Sequence, residues 1–213
     1  MRPTSFSPAA GSPVLVLLGT DADGAPAPRL ADPAVPHLSV TDQGVTRGDG
    51  IFETALAVAD GLGTLRMRKL GAHLGRLAAS ASALQLAAPE AAAWEAAVAL
   101  GLRAFTEAND VAPGDRLAVR LTVTRGPDAA PGAVPTPTAW ALLSPAPVVE
   151  DEERRRGLRV LLLDRGIDSQ APERSPWLLT GAKTLSYAVN MAALRYARDH
   201  GADDVVFTSA DGY

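Results

Sequence analysis

Lysine is the residue type in this sequence that is best suited to covalent chemistry. The chain has 20 lysine and arginine residues, of which only Lys69 and Lys183 are lysines. Arginine stays protonated and does not form a Schiff base, whereas a lysine amine can do so once it is neutral. A lysine retained in such an arginine-rich chain is therefore a candidate nucleophile.

Lys183 directly precedes a segment with a helical pattern of apolar residues. The spacing of Leu185, Val189 and Tyr196 predicts a helix over 184–200. The positive end of a helix dipole disfavours a cation, so a lysine there is favoured as the neutral amine that attacks carbonyl groups. The same position also suits a solvated structural lysine, and spacing alone favours that alternative. Lys69, in the basic run 66–69, is expected to face solvent.

Two further segments contain residues that commonly line binding sites. Residues 42–50 place three glycines among acidic and basic side chains, as in many ligand-binding loops. Arg76 lies off the leucine stripe of its predicted helix, and an arginine fork suits a phosphate group. Taken alone, the first segment is equally consistent with an ordinary connecting loop. The sequence pattern alone favours a solvent-facing arginine for Arg76.

Composition excludes several classes of site. The 213 residues include no cysteine, which rules out disulfides, thiolate metal sites and cysteine nucleophiles. The three histidines lie far apart in the sequence, and the net charge of −4 does not suggest a nucleic-acid binder. The longest early apolar run, Val14–Leu18, is too short to span a membrane. We therefore expect a cytoplasmic protein with neither nucleic-acid nor membrane partners.

The order of the predicted elements indicates an α/β (α+β) chain in two domains. Strands are predicted at 14–18, 51–59, 65–68, 117–124 and 138–143, with helices over 70–84 and 89–108. After the proline- and charge-rich stretch 145–157 come a strand at 158–163, the helix over 184–200, a strand at 205–208 and a turn at 210–212. We predict a mobile tail over 1–13, an N-terminal α/β domain over 14–148 and a second domain over 149–213.

Four segments in this order resemble the signatures of the class IV aminotransferase-like family, the fold type IV pyridoxal-phosphate (PLP) enzymes. Residues 42–54, which end in Gly-Asp-Gly-Ile-Phe-Glu-Thr, look like its N-terminal signature, and residues 73–77 look like its H-L-x-R-L element. Residues 183–187, Lys-Thr-Leu-Ser-Tyr, look like its lysine segment, and residues 204–212 look like the strand and turn that follow. Each segment alone is weak, but the ordered set is strong.

The resemblance implies a fold and a set of roles. It implies a smaller N-terminal α/β domain, an incomplete barrel-like C-terminal domain, and a homodimer with each site between the two domains. Lys183 would hold PLP as a Schiff base and shuttle protons, Arg76 would bind the cofactor phosphate, and Tyr187 would approach the cofactor ring oxygen. In the family, a strand after the turn carries a glutamate for the pyridine nitrogen, and later segments add phosphate contacts. Neither is present here, so we expect a truncated chain.

The resemblance also favours one reaction among those of the family. The Gly-Asp-Gly-x-Phe-Glu-Thr motif looks more like 4-amino-4-deoxychorismate lyases and D-amino-acid aminotransferases than like branched-chain aminotransferases, and the lysine segment leans toward the lyase. We predict the lyase, which yields 4-aminobenzoate and pyruvate. The alternatives are an aminotransferase acting on D-amino or branched-chain amino acids, and a non-catalytic homologue or fragment. Arg47, Arg120 and Arg125 all remain candidates for binding a substrate carboxylate.

Overall fold

The secondary structure falls into a large antiparallel sheet with its helices, followed by a small parallel unit. The structure is a computed structural model that describes residues 11–20, 23, 25, 27–146 and 151–212. The strands are β1 (Val14–Leu18), β2 (Arg29–Ala31), β3 (Gly50–Ala59), β4 (Leu65–Met67), β5 (Arg116–Thr124), β6 (Thr138–Pro145), β7 (Val160–Asp164) and β8 (Asp204–Thr208). The helices are α1 (Gln43–Thr46), α2 (Leu70–Ala83), α3 (Ala91–Ala108), α4 (Asp151–Arg156), α5 (Ala171–Arg174) and α6 (Ala188–Asp199).

The large sheet has six strands in the order β2-β1-β6-β5-β3-β4, and all neighbours are antiparallel. Along each strand, successive side chains point to opposite faces of the sheet. In β5 the alternate residues that face the core are Leu117, Val119, Leu121 and Val123, and all are buried. The opposite face of the same strands carries Phe52 and Arg120, which becomes important below.

Helices α2 and α3 cover the core face of this sheet with leucine, alanine and aromatic side chains. Leu74 and Leu77 of α2 and Trp94 and Phe105 of α3 are buried. At Gly101 of α3, a Cβ would come within 2.6 Å of a methyl carbon of Leu143, so a side chain there would displace the buried Leu143 side chain of β6. The predicted helices over 70–84 and 89–108 are thus confirmed.

The loop before β3 is held to the sheet by a buried carboxylate. Asp42 is fully buried, and its side chain accepts hydrogen bonds from Gly44 N at 2.8 Å, Thr124 Oγ1 at 2.8 Å and Thr138 Oγ1 at 3.1 Å. A buried carboxylate is tolerated when donors surround it in this way. The network fixes residues 42–50, the glycine-containing segment, against the ends of β5 and β6.

The C-terminal unit contains β7 and β8, which pair in parallel, with α6 on the crossover between them. The predicted strand–helix–strand order is therefore confirmed, and residues 210–211 form the predicted turn. The predicted start of the helix is wrong: α6 begins at Ala188 rather than at residue 184. The reason is that the backbone around Thr184 pairs with Ile51 of β3 and is unavailable for helical hydrogen bonds.

Some sequence predictions concern residues that the structure does not describe. Most of the expected tail over 1–13 and the expected domain boundary between 148 and 149 lie outside the described residues. Among the residues that are described, no helix combines the length and apolar character needed to cross a membrane.

Candidate active site

A cleft of about 1200 Å³ lies between the large sheet and the parallel unit. The loop and strand ends that border it come from both parts, including Gly48 and Arg125 on one side and Thr208 on the other. Lys183 and Tyr187 also line it. The structure thus brings two of the three predicted site residues into one cavity.

The backbone of Lys183 is fixed from two directions. Phe52 N in β3 donates to Lys183 O at 3.0 Å, and Leu185 N donates to Gly50 O at 2.8 Å. From α2, Ser80 Oγ accepts a hydrogen bond from Lys183 N at 3.2 Å. The lysine therefore lies on an extended segment held between a strand and a helix. The helix-dipole argument for Lys183 does not apply, because that effect is confined to the first turn and α6 starts five residues later.

Two aromatic rings lie beside the amino group of Lys183. Its Nζ lies 4.3 Å from the centre of the Phe52 ring and 5.2 Å from that of Tyr187. The two rings meet edge to face, with centres 5.4 Å apart. Among the described residues, Nζ has no hydrogen-bond or carboxylate partner, so this amine is available to a ligand.

Glycine is required at two positions where the loop before β3 meets the lysine segment. Gly48 has φ of 69°, and a Cβ there would come within 2.7 Å of Ser186 Oγ. A Cβ at Gly50 would lie 2.6 Å from a β5 carbonyl oxygen and 2.7 Å from Leu185. Ser186 Oγ also donates to Gly48 O at 3.3 Å. The glycine-containing segment is therefore the surface on which the lysine segment docks.

Arg76 lies outside the lining of the cleft, on the α2 row that also carries Ser80. Its Nε and Nη2 donate to the Glu53 carboxylate at 3.0 and 2.8 Å, and His73 Nδ1 lies 2.8 Å from the same carboxylate. The Arg76 side chain is 63% exposed, whereas that of Glu53 is 3% exposed. Its Nη1 has no partner among the described residues and remains a donor for an anion. A phosphate-binding role for Arg76 stays a prediction.

The three arginines considered for a carboxylate differ in how far they are already paired. Arg47 donates to Gln43 and Asp128, and Arg125 donates to Asp49 and to two carbonyl groups. The side chain of Arg120 makes no hydrogen bond or ion pair within the part of the chain that is described. Its Cζ lies 4.5 Å from the centre of the Phe52 ring, which Lys183 also contacts.

Several cleft residues were not foreseen from the sequence. Arg165 and Phe207 both line the cleft, with the Arg165 Cζ 4.6 Å from the ring centre, and Trp177 lies nearby with 73% of its surface exposed. Arg165 directly follows β7. A charged residue at a strand end was the available signal, because such positions commonly meet a cleft.

A carboxylate in the turn at 210–212 binds Ser169, one of the residues that line the cleft. Asp211 accepts hydrogen bonds from Ser169 N at 3.0 Å and Ser169 Oγ at 2.7 Å. Hydrogen bonds from the Ser169 and Ser209 side chains lower the pKa of Asp211 to about 2. The turn at 210–212 is thus linked to the loop that follows β7 at neutral pH.

The Glu53 carboxylate provides a prediction on acid stability. Burial alone would raise its pKa, but the hydrogen bonds from Arg76 and His73 outweigh burial, and the pKa lies below the ordinary 4.5. A lowered pKa stabilises the fold above the unfolded-state value, and this contribution is lost as the pH falls through the folded-state value. We expect Glu53→Gln to lower the free energy of unfolding by about 2 kcal/mol at neutral pH.

Urea unfolding from neutral pH to below 4.5 measures this effect. The difference between the parent protein and Glu53→Gln should shrink on acidification, because the protonated parent loses the same ion pair. Glu107→Gln, at an exposed position of α3, is the matched control and should show almost no difference at any pH. A Glu53→Gln difference that stays constant across the range would contradict the prediction.

Comparison with known proteins identifies clear relatives of this chain. A family model described as amino-transferase class IV matches residues 50–213. The chain is 40% identical over 184 residues to the bifunctional aminodeoxychorismate lyase / D-amino acid transaminase of Mycobacterium tuberculosis (strain ATCC 25618 / H37Rv). The matched region covers 86% of this chain and 59% of that protein.

Solved structures give the same picture. The fold IV-transaminase CpuTA1 from Curtobacterium pusillum superposes with a TM-score of 0.78 at 40% identity, covering 95% of this chain and 66% of that one. The PLP-bound form of a hypothetical aminotransferase from Mycobacterium tuberculosis gives a TM-score of 0.76 at 38% identity, covering 95% and 64%. The chain thus spans between 59% and 66% of the length of these relatives.

Proposed function

This chain belongs to the class IV amino-transferase family, and on that premise we propose that it carries the lysine site of a PLP-dependent aminodeoxychorismate lyase. Such an enzyme converts 4-amino-4-deoxychorismate to 4-aminobenzoate and pyruvate. The family membership and the α/β (α+β) fold of type IV, both expected from the sequence, are confirmed. The choice of the lyase rests on the motifs and on the name of the 40% identical mycobacterial relative.

Pyridoxal phosphate is the cofactor, in keeping with the PLP- and PMP-bound forms of the mycobacterial aminotransferase. The residues of this chain fit that group. Lys183, whose Nζ has no partner among the described residues, lines a cleft large enough for a cofactor and a small substrate, since ligand sites commonly have volumes of about 300–1000 Å³. This cleft-lining lysine with an unpartnered amine is the observation that carries the proposal.

The side chains around the amine have separate roles in the proposed reaction. When bound, the cofactor withdraws electrons from the carbon next to the substrate nitrogen. Lys183 would hold the cofactor through Nζ and would take up and return a proton at that atom. The Phe52 and Tyr187 rings exclude water from one side of Nζ. We assign Tyr187 the contact to the cofactor ring oxygen and Arg76 the contact to the phosphate, which is supported by the lack of an Nη1 partner among the described residues.

Arg120 is the arginine that we assign to the substrate carboxylate. Lys183 Nζ and Arg120 Cζ lie 4.3 and 4.5 Å from the centre of the same ring, so their separation cannot exceed those two distances placed end to end. An amino-acid substrate carries a carboxylate on the carbon next to its amino nitrogen, so one molecule would meet both groups when they lie on the same side of the ring. Arg120 is also exposed and has no competing carboxylate among the described residues.

The runner-up is an aminotransferase acting on D-amino or branched-chain amino acids. The name of the mycobacterial relative, which joins lyase and D-amino acid transaminase activities, favours keeping this alternative. The lyase proposal includes two further expectations from the sequence, a homodimer and a cytoplasmic location. The enzymatic activity of the whole protein and its substrates are also proposals.

Product analysis separates the lyase from the aminotransferase. The purified full-length protein, loaded with PLP, is expected to form 4-aminobenzoate from aminodeoxychorismate, which fluorescence detects directly. A parallel reaction with a D-amino acid and a 2-oxo acid measures amino transfer. Transfer without any 4-aminobenzoate would replace the lyase by the runner-up, and neither product would favour the non-catalytic homologue.

A further inference from the structure

Arg125 joins two elements that meet beside the lysine segment, at the border of the cleft. Its Nε and Nη2 donate to the two oxygens of the Asp49 carboxylate at 2.6 and 3.1 Å. Its Nη2 also donates to Leu84 O at 2.8 Å, and its Nη1 donates to Gln85 O at 3.2 Å. The guanidinium therefore connects the residue just before β3 to the C-terminal end of α2.

These two elements are the ones that hold Lys183. The start of β3 binds the lysine segment through Gly50 and Phe52, and α2 binds Lys183 N through Ser80 Oγ. A shift of α2 relative to β3 would break one of these contacts, because the segment cannot follow both. Arg125 is one of the links between these two elements, beside the hydrogen bonds of Arg76 and His73 to Glu53, and it is the link at the end of α2 and the start of β3, where Lys183 is held.

The hydrogen bonds of Arg125 fit a role in holding α2 and β3 together rather than a role in ligand binding. An arginine side chain has five N–H donors, and four of those in Arg125 are already directed at Asp49, Leu84 and Gln85. The last carbonyl groups of a helix lack internal partners and carry the negative end of the helix dipole, so a cation is favoured there. A lysine has no planar fork and cannot bind the carboxylate and two divergent carbonyls together.

We propose that Arg125 and Asp49 form a positioning pair that aligns Lys183 for proton transfer without contacting the substrate. Its catalytic part rests on the proposed function, while its geometric part concerns the chain alone. In Arg125→Lys the lysine segment should be held less firmly. The Lys183 amide should then exchange hydrogen at least about tenfold faster, because local opening governs exchange. Misplacement of the reacting amine should lower kcat about tenfold with little change in KM.

Hydrogen exchange measured by mass spectrometry on the full-length protein, with and without PLP, tests the geometric part. Steady-state kinetics and borohydride trapping of the pyridoxyl group on Lys183 test the catalytic part. Arg66→Lys is the matched control, since Arg66 forms an arginine–aspartate pair with Asp60 on the β3–β4 hairpin, away from the lysine. It should leave the Lys183 amide, the trapping rate and kcat unchanged.

The possible outcomes distinguish the two proposals. Faster exchange at residues 180–187 together with a lower kcat supports the positioning pair. If Arg125→Lys lowers only the melting temperature and leaves exchange and kcat at parental values, Arg125 is merely structural and the proposal fails. If the parent traps no pyridoxyl group, the proposed function fails, while the exchange data still decide whether Arg125 holds the lysine segment.

Discussion

Lys183→Ala and Lys183→Arg are both expected to abolish turnover, with kcat at least about 10⁴-fold below that of the parent protein. Either change removes the only unpartnered amine among the described residues that line the cleft. Arginine keeps the positive charge but cannot attach the cofactor, so charge alone should not rescue the reaction. Steady-state kinetics with the substrate identified by product analysis measures the loss.

A chemical readout separates loss of attachment from loss of folding. After borohydride reduction, the parent peptide that contains Lys183 should carry a pyridoxyl group, and the corresponding peptides of both variants should not. Lys69→Arg is the matched control, because Lys69 is the other lysine and lies exposed at the start of α2. It should retain both activity and the label on Lys183. A pyridoxyl group found on Lys69 instead would overturn the site assignment.

The sequence was sufficient to predict the elements around Lys183 but not the conformation of its own segment. Residues 184–187 continue the apolar spacing of α6, so periodicity alone assigned them to the helix. In the fold, the hydrogen bonds of Leu185 N to Gly50 O and of Phe52 N to Lys183 O hold this segment extended. Such pairing involves residues more than 130 positions apart, and local pattern cannot reveal it.

The pairing of the arginines was equally out of reach of the sequence. Arg76 and Glu53 are 23 positions apart, and Arg125 and Asp49 are 76 apart. Which arginines are consumed by carboxylates depends on strand register and helix placement, which fix where each guanidinium ends. The sequence therefore left Arg47, Arg120 and Arg125 as equal candidates, and the ring contact shared with Lys183 and the pairing of the other two arginines favour Arg120.

The docking role of the glycines was partly predictable. Three glycines within residues 42–50 indicated a site-lining loop, and Gly48 does line the cleft. The reason for glycine, however, lies in the close approach of Ser186 and Leu185, which come from the second part of the chain. A glycine motif can thus indicate that another segment or a ligand approaches the backbone closely, without identifying which one.

Arg120→Gln is expected to raise the KM for the amino substrate about 30-fold, which corresponds to about 2 kcal/mol for a lost charged hydrogen bond. The lysine chemistry is retained, so kcat should fall much less than in the Lys183 variants. Trapping of the pyridoxyl group on Lys183 should remain at the parental level, because Arg120 is assigned to the substrate and not to the cofactor.

A neighbouring arginine provides a strict control for this assignment. Arg116 lies on the same strand and face as Arg120, four residues away, or about 13 Å along an extended strand. Loss of general positive charge should affect Arg116→Gln and Arg120→Gln alike, whereas loss of a specific carboxylate contact should affect Arg120→Gln alone. Equal KM values in the two variants would therefore rule out Arg120 as the carboxylate-binding residue. A KM that rises only in Arg120→Gln, with partial recovery in Arg120→Lys, would place the substrate between Arg120 and Lys183 on the Phe52 side of the sheet.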